Sequence, residues 1–427
     1  MKHFRPYLTF LLCAFPLCAI SQQVAQHKPV TDSIWAKDVK SVFLNRNGVE
    51  LEAPVLRMGS SDRLLLRFDQ LGDQPEDYRY RISHCNADWI PDTLEPYEYI
   101  NGFEEENITE YQFSFTTLQY YVNYRQYLPA QYAEFIASGN YLLTVYRQDE
   151  PDSIILTRRF YVFEDILNID VSIGRPTAAT GNINRDQEVD VALSVKEGAY
   201  LNTSPQYLRV KVQQNQRKDL VRNIRFSGFS GSSLLYRWQD ENVFPGGNCF
   251  RYFDLSNIRT PMYNIQEVDE YGGELYAFLK PCEDRSRANF SPINSLNGGM
   301  KINIFDRNNP QLEADYVWVN FSLPMATPFL DGNIYITGQF TDWLFNEDSR
   351  MEWQPQYKAY TKRIRLKQGY YSYQLVFLPI GAKEGLTSRL EGDHNATAND
   401  YTVYTYYRMP NDRFDRLVGI KQVKGNF

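Results

Sequence analysis

Along most of the chain apolar and polar positions alternate with a period of two, the pattern of a strand with one face buried. In residues 63–71, Leu64, Leu66 and Phe68 share one face while Arg67 and Asp69 take the other. In residues 78–85, Tyr78, Tyr80, Ile82 and His84 alternate with Arg79, Arg81, Ser83 and Cys85. Further runs of this kind are predicted at 141–146 and 154–163, at Val189, Val191, Leu193 and Val195, at Leu208, Val210 and Val212, and at 333–337, 363–366 and 370–377. Nowhere is the 3.6-residue apolar period of a helix sustained.

Turn chemistry punctuates these runs. Ser138-Gly139-Asn140, Gly174-Arg175-Pro176, Pro245-Gly246-Gly247 and Asn297-Gly298-Gly299 read as turns, and Pro324 and Pro328 as a domain junction. Lys367-Gln368-Gly369, between two alternating runs, reads as a hairpin with a positive-φ glycine. The expectation is an all-β protein of three consecutive immunoglobulin-like β-sandwich domains, at 32–164, 165–322 and 323–427. No internal repeat beyond that rhythm and no low-complexity tract is present.

Before the first sandwich, Lys2 and Arg5 precede an apolar stretch over residues 7–20, and Ala19-Ile20-Ser21 has small residues where a signal peptidase reads. Residues 1–21 are predicted to be a cleaved signal peptide. The apolar stretch would span only ~21 Å at ~1.5 Å per residue, against a ~30 Å hydrocarbon core. Cys13 and Cys18 each follow a leucine, which argues against lipidation. A soluble periplasmic protein starting at Gln22 follows, with no direct membrane insertion.

Composition agrees with this picture. Aromatic residues make up 15% of the 427 residues, a bias toward strands, and the net charge of −7 with no basic run argues against nucleic acid as a partner. After signal removal three cysteines remain, Cys85, Cys249 and Cys282, enough for one bridge in any of three pairings.

The motifs of nucleophilic, zinc, phosphate, nucleotide, redox and calcium chemistry are missing. His84-Cys85 is the most tempting pair, yet neighbours on a strand point to opposite faces, so imidazole and thiol are not expected to meet. Asp393, His394 and Asp400 are candidate metal ligands in a loop that reads more simply as a turn. Fifty-two acids leave open a hydrolytic carboxylate pair, but the sequence selects none. The expectation is no enzyme, no catalytic residue and no cofactor.

Gly338-Gln339-Phe340-Thr341-Asp342-Trp343, followed by Lys367-Gln368-Gly369-Tyr370-Tyr371-Ser372-Tyr373, resembles the glycogen-binding-like early-set sandwich. In carbohydrate binders of that family exposed tryptophans stack on sugar rings, and Trp343 and Trp353 are the matching positions. In non-binding members the same residues close the sandwich.

Several ordered blocks are similar to the type IX secretion system plug protein family of Bacteroidetes-type bacteria. They include His84-Cys85-Asn86-Ala87-Asp88-Trp89, Ser138-Gly139-Asn140-Tyr141, Gly246-Gly247-Asn248-Cys249-Phe250-Arg251, Glu313-Ala314-Asp315-Tyr316, Glu391-Gly392-Asp393-His394 and Tyr406-Tyr407-Arg408. Cys249 departs from the family pattern, which has an acid there. The resemblance implies a periplasmic protein that caps the giant outer-membrane barrel translocon without catalysis, through loops with aromatic and arginine side chains. No translocon contact is selected by the sequence. The alternative is a periplasmic or surface carbohydrate-binding protein using the last domain.

Overall fold

The computed structural model describes residues 30–178 and 180–425. The expected signal peptide, residues 1–21, and its cleavage point lie outside them. The fold is all-β, 48% strand against 4% helix, and its sheets stack as sandwiches.

In the N-terminal sandwich one sheet runs in the order Ser33–Ile34, Glu150–Phe163, Gly139–Arg147, Tyr78–Cys85, Glu105–Ile108, with Val55–Arg57 parallel to the second of these. The facing sheet is Val39–Arg46, Leu64–Leu71, Tyr121–Leu128, Glu110–Phe113. Tyr80, Ile82, Phe68, Leu66, Tyr124 and Leu143 fill the space between them. Tyr78–Cys85 follows its alternation, with Tyr78, Tyr80, Ile82 and His84 inward and Arg81 exposed. Leu64–Leu71 does not: Arg67 and Asp69, expected on a solvent face, are buried. The reason is tertiary, because another sandwich covers that face.

The middle sandwich pairs a sheet of Leu167–Gly174, Asp186–Val195, Ser233–Tyr236 and Gly228–Ser230, with Val243–Pro245 against the second strand, with a sheet of Val221–Ile224, Leu208–Gln214, Asp400–Tyr407 and Arg416–Lys424. The last two strands come from the C-terminal end of the chain. Val212 stands opposite Val403 and Leu208 opposite Tyr407, and Tyr401, Val403 and Val418 share a core with Val189, Val191 and Val210.

The remaining sandwich is inserted between those two halves. One side carries Arg251–Asp254, Gly369–Pro379, Met300–Ile302 and Gly332–Thr337; the other is the sheet Ile265–Tyr271, Glu274–Leu279, Tyr316–Pro324, Ala359–Lys367, Glu352–Gln354. The expected boundary at 322/323 therefore needs correction, since it cuts a strand that pairs with Ala359–Lys367 from Tyr316 to Pro324. Two-residue alternation marks a strand but does not name its sheet, so neither the early start of the inserted sandwich nor the return of residues 400–424 is written in the pattern.

Lys367-Gln368-Gly369 is likewise not a hairpin. The strands on either side belong to different sheets, and the tripeptide is the corner where the chain crosses between them. Gly369 is needed for close approach: a Cβ there would stand 2.3 Å from the carbonyl oxygen of Lys301.

Candidate functional site

The predicted catalytic candidates are built into the framework. His84 Nδ1 bonds the Asp92 carboxylate, and its Nε2 faces the Ser138 carbonyl at 3.2 Å. Tyr141 meets the ring edge-on at 4.9 Å. Gly139, at φ +152°, leaves room for it, since a Cβ there would lie 2.3 Å from Nε2. Both ring nitrogens are thus engaged, and the imidazole works as an internal brace. Cys85 is buried on the strand's other face, where desolvation pushes its thiol up to about 12, far from the thiolate a nucleophile needs. Cys249 and Cys282 are also buried and free.

Asp393, His394 and Asp400 are not brought together as ligands. Asp393 accepts a bond from Thr387 Oγ1 at 2.7 Å, and Asp400 takes its place in the middle sandwich opposite Lys424. Among the described residues no group of three or more His, Cys, Asp or Glu side chains could hold a metal ion.

Trp343 is 6% exposed, its ring against Phe250 and over Gly298, where a Cβ would come within 2.0 Å of Cη2. Trp353 is half-buried and donates through Nε1 to the Met325 carbonyl at 3.2 Å. Trp343 offers no open ring face, and both tryptophans contribute to packing of the inserted sandwich.

Sequence reasoning missed the charged groups that lock the sandwiches together. Lys367 and Asp69 form an ion pair at 2.6 Å, each side chain 1% exposed, between the inserted and N-terminal sandwiches. Tyr316 Oη and Asn123 Nδ2 donate to the same carboxylate at 2.7 and 2.6 Å, and the ammonium lies 4.0 Å over the Tyr121 ring. Asp315 accepts the backbone N–H groups of Leu118 and Gln119 across the same junction. Where all three sandwiches meet, Asp32 pairs with Lys218 at 2.6 Å and Arg158 with Asp342 at 3.1 Å. Burial alone would raise the Asp32 carboxyl, but the charges of Lys218, Arg158 and Arg159 outweigh that and hold it at about 2. Between the N-terminal and middle sandwiches Glu164 binds Arg416, Asn140 accepts from Tyr406 Oη at 2.7 Å, and Tyr161 stacks on Tyr404. A clue existed: Leu65 and Leu71 share a face with Arg67 and Asp69, which is one apolar pair too many for a solvated surface.

One corner of the N-terminal sandwich keeps large aromatics in solvent. The single helical turn Pro96–Tyr99 starts with Glu98 accepting the Glu95 N–H at 2.9 Å and is pinned by Tyr99, whose hydroxyl donates to the Ile82 carbonyl. The chain then pairs Ile100 with Phe135 and Asn101 with Glu134. At Gly102, φ +128°, a Cβ would lie 2.7 Å from Ala133 Cβ, so glycine permits the close approach of the two segments that carry Phe103 and Tyr132. Tyr97, Phe103 and Tyr132 are 76%, 72% and 93% exposed, and Tyr132 lines a hollow of about 270 Å³ whose wall includes Arg57 and Arg63. Aromatic and arginine side chains held on a buried base are the composition of a protein contact surface.

None of the curated proteins matches the chain in sequence. A crystal structure of a hypothetical protein from Parabacteroides merdae ATCC 43184 is similar over 93% of this chain and 100% of its own, with 29% identity and a TM-score of 0.90. Residues 39–164 match the family described as type 9 secretion system plug protein 1st domain, the span of the sandwich that carries the aromatic corner and the His84 brace. The N-terminal sandwich thus belongs to the plug protein family of the type IX secretion system, which ties the chain to that secretion route.

Proposed function

We propose that the protein is a non-enzymatic periplasmic plug that binds the giant outer-membrane barrel translocon of type IX secretion and closes its periplasmic end. The observation that carries this reading is the locking of three sandwiches by ion pairs and hydrogen bonds at each junction, on a chain whose first sandwich matches the plug family. A cap over a wide channel must resist bending, and buried, mutually oriented charges fix one arrangement of the domains. Family membership supports an envelope location, and no described helix is long and apolar enough to cross a membrane. The aromatic corner of the matched domain supplies the sealing contact in this reading.

The test is affinity purification of the tagged protein from detergent-solubilised envelopes. Wild type is expected to bring down the barrel, and a Phe103→Asp/Tyr132→Asp variant to lose it while keeping its circular dichroism and melting temperature. A deletion strain should admit solutes that the closed envelope excludes. Unchanged permeability on deletion defeats the plug reading, and full barrel recovery by the double variant defeats the assignment of the corner.

A further inference from the structure

A cleft of about 620 Å³ separates the N-terminal sandwich from the inserted one. Its floor is closed by the Ser41–Tyr316 hydroxyl bond at 2.8 Å and, deeper, by the Lys367–Asp69 pair. Its two walls are strand edges. Val39–Arg46 is the outermost strand of its sheet and pairs only with Leu64–Leu71, in a register broken between Lys40 and Phe43, where Ser41 takes a φ of +51°. Opposite it, Ala359–Lys367 is paired along one side with Tyr316–Pro324, but Glu352–Gln354 covers its other side only from Ala359 to Thr361. Residues 362–366 therefore have one open side, where every second residue presents its N–H and C=O, and no backbone bond outside the ladder uses them. Five residues at ~3.3 Å each give an open edge of ~16 Å.

Charge on these walls is one-sided. Among the described residues Arg158, Arg365 and Lys367 have carboxylate partners, whereas Lys37, Lys40, Lys362 and Arg363 have none within ion-pair distance, against one unmatched acid in the cleft, Asp348. Burial pushes the Lys40 ammonium down, with Asp348 and Asp38 only partly opposing it. Trp35, 54% exposed, and Phe340 add apolar surface at the rim.

We propose that this cleft binds an acidic, extended segment of a partner polypeptide, laid as an added strand along the open edges with its carboxylates on Lys37, Lys40 and Lys362. Main-chain bonds to an open edge supply affinity, and the side chains facing alternate residues supply selectivity. Open edges ask for a peptide backbone, which nucleic acid lacks. The chain's own residues 22–29 carry Lys28 and no carboxylate, so they do not match the walls. The proposal stands whether or not the protein closes a pore.

The probe is a fluorescein-labelled octapeptide alternating glutamate and valine, titrated with the full-length protein by fluorescence anisotropy at two salt concentrations. Saturable binding that weakens with salt is expected, and the lysine–valine counterpart should not bind. Lys37→Glu lies on an exposed side chain, and Lys362→Glu at the opposite wall; each should weaken binding by about tenfold with circular dichroism unchanged. Methylating alternate backbone nitrogens of the peptide should abolish binding if main-chain pairing is used. Equal binding of acidic and basic peptides, indifference to both lysine variants, or full binding by the N-methylated peptide overturns the proposal. So does a duplex oligonucleotide that binds with the same dependence on Lys37 and Lys362.

Discussion

Replacing Lys367 with methionine keeps most of the side-chain volume and removes one charge from the junction between the N-terminal and inserted sandwiches. At an effective dielectric constant of about 20, opposite unit charges 2.6 Å apart attract by about 6 kcal/mol. Desolvating both ions offsets much of this, so the intact pair adds little over an apolar contact. Removing one member is different, because the other stays buried without its counter-charge, at a cost of about 3–5 kcal/mol. In Lys367→Met the Asp69 carboxylate keeps the Tyr316 hydroxyl and the Asn123 amide, which places the expected loss near the lower figure. In Asp69→Asn the ammonium keeps the Gln311 carbonyl at 2.7 Å and the Tyr121 ring. The double variant should cost about 2 kcal/mol less than the sum of the singles, because neither charge is then orphaned. Urea unfolding followed by circular dichroism and tryptophan fluorescence measures all three. Single variants within 1 kcal/mol of wild type, or strict additivity in the double, would refute the view that this pair locks the two sandwiches.

Two further outcomes follow from other junction residues. Asp32 is held at about 2 against an ordinary 3.8, so it stabilises the fold by about 2 kcal/mol above pH 4, and that contribution disappears as pH falls through 3.8 toward 2; Asp32→Asn should flatten this acid limb in urea titrations at stepped pH. Gly298→Ala places a Cβ at a φ of +86° and 2.0 Å from Trp343 Cη2, so it should cost about 2–3 kcal/mol by thermal melting and shift the tryptophan emission.

Single strands were legible where one face meets a core and the other meets water. Tyr78–Cys85 is such a strand, and its arginines identify the outer face without help from the rest of the chain. Leu64–Leu71 was legible as a strand but not as an interface, because it is buried on both faces while carrying polar groups on the second. Asp69 finds its cation 298 positions away, and Asn140 finds Tyr406 266 positions away. Pairings of that span leave no local periodicity. The same holds for Trp343, whose place beneath Gly298 depends on a turn made far from it in sequence. The aromatic corner was invisible for a different reason: the segments carrying Phe103 and Tyr132 are joined only by a two-residue ladder, Ile100–Asn101 with Glu134–Phe135, too short to alternate.

The discontinuous middle sandwich gives these buried charges a physical role. Because Asp400–Tyr407 returns to pair with Leu208–Gln214 and Arg416–Lys424 pairs with it in turn, the inserted sandwich is tethered at both of its ends and cannot swing on a single linker. Tethering alone would still let it rotate, since apolar contacts are non-directional. Asp69 with Lys367, and Arg158 with Asp342, remove that freedom, because a rotated sandwich would bury the same charges unpaired. Strand exchange therefore fixes the connectivity of the three bodies, and the ion pairs fix their angles.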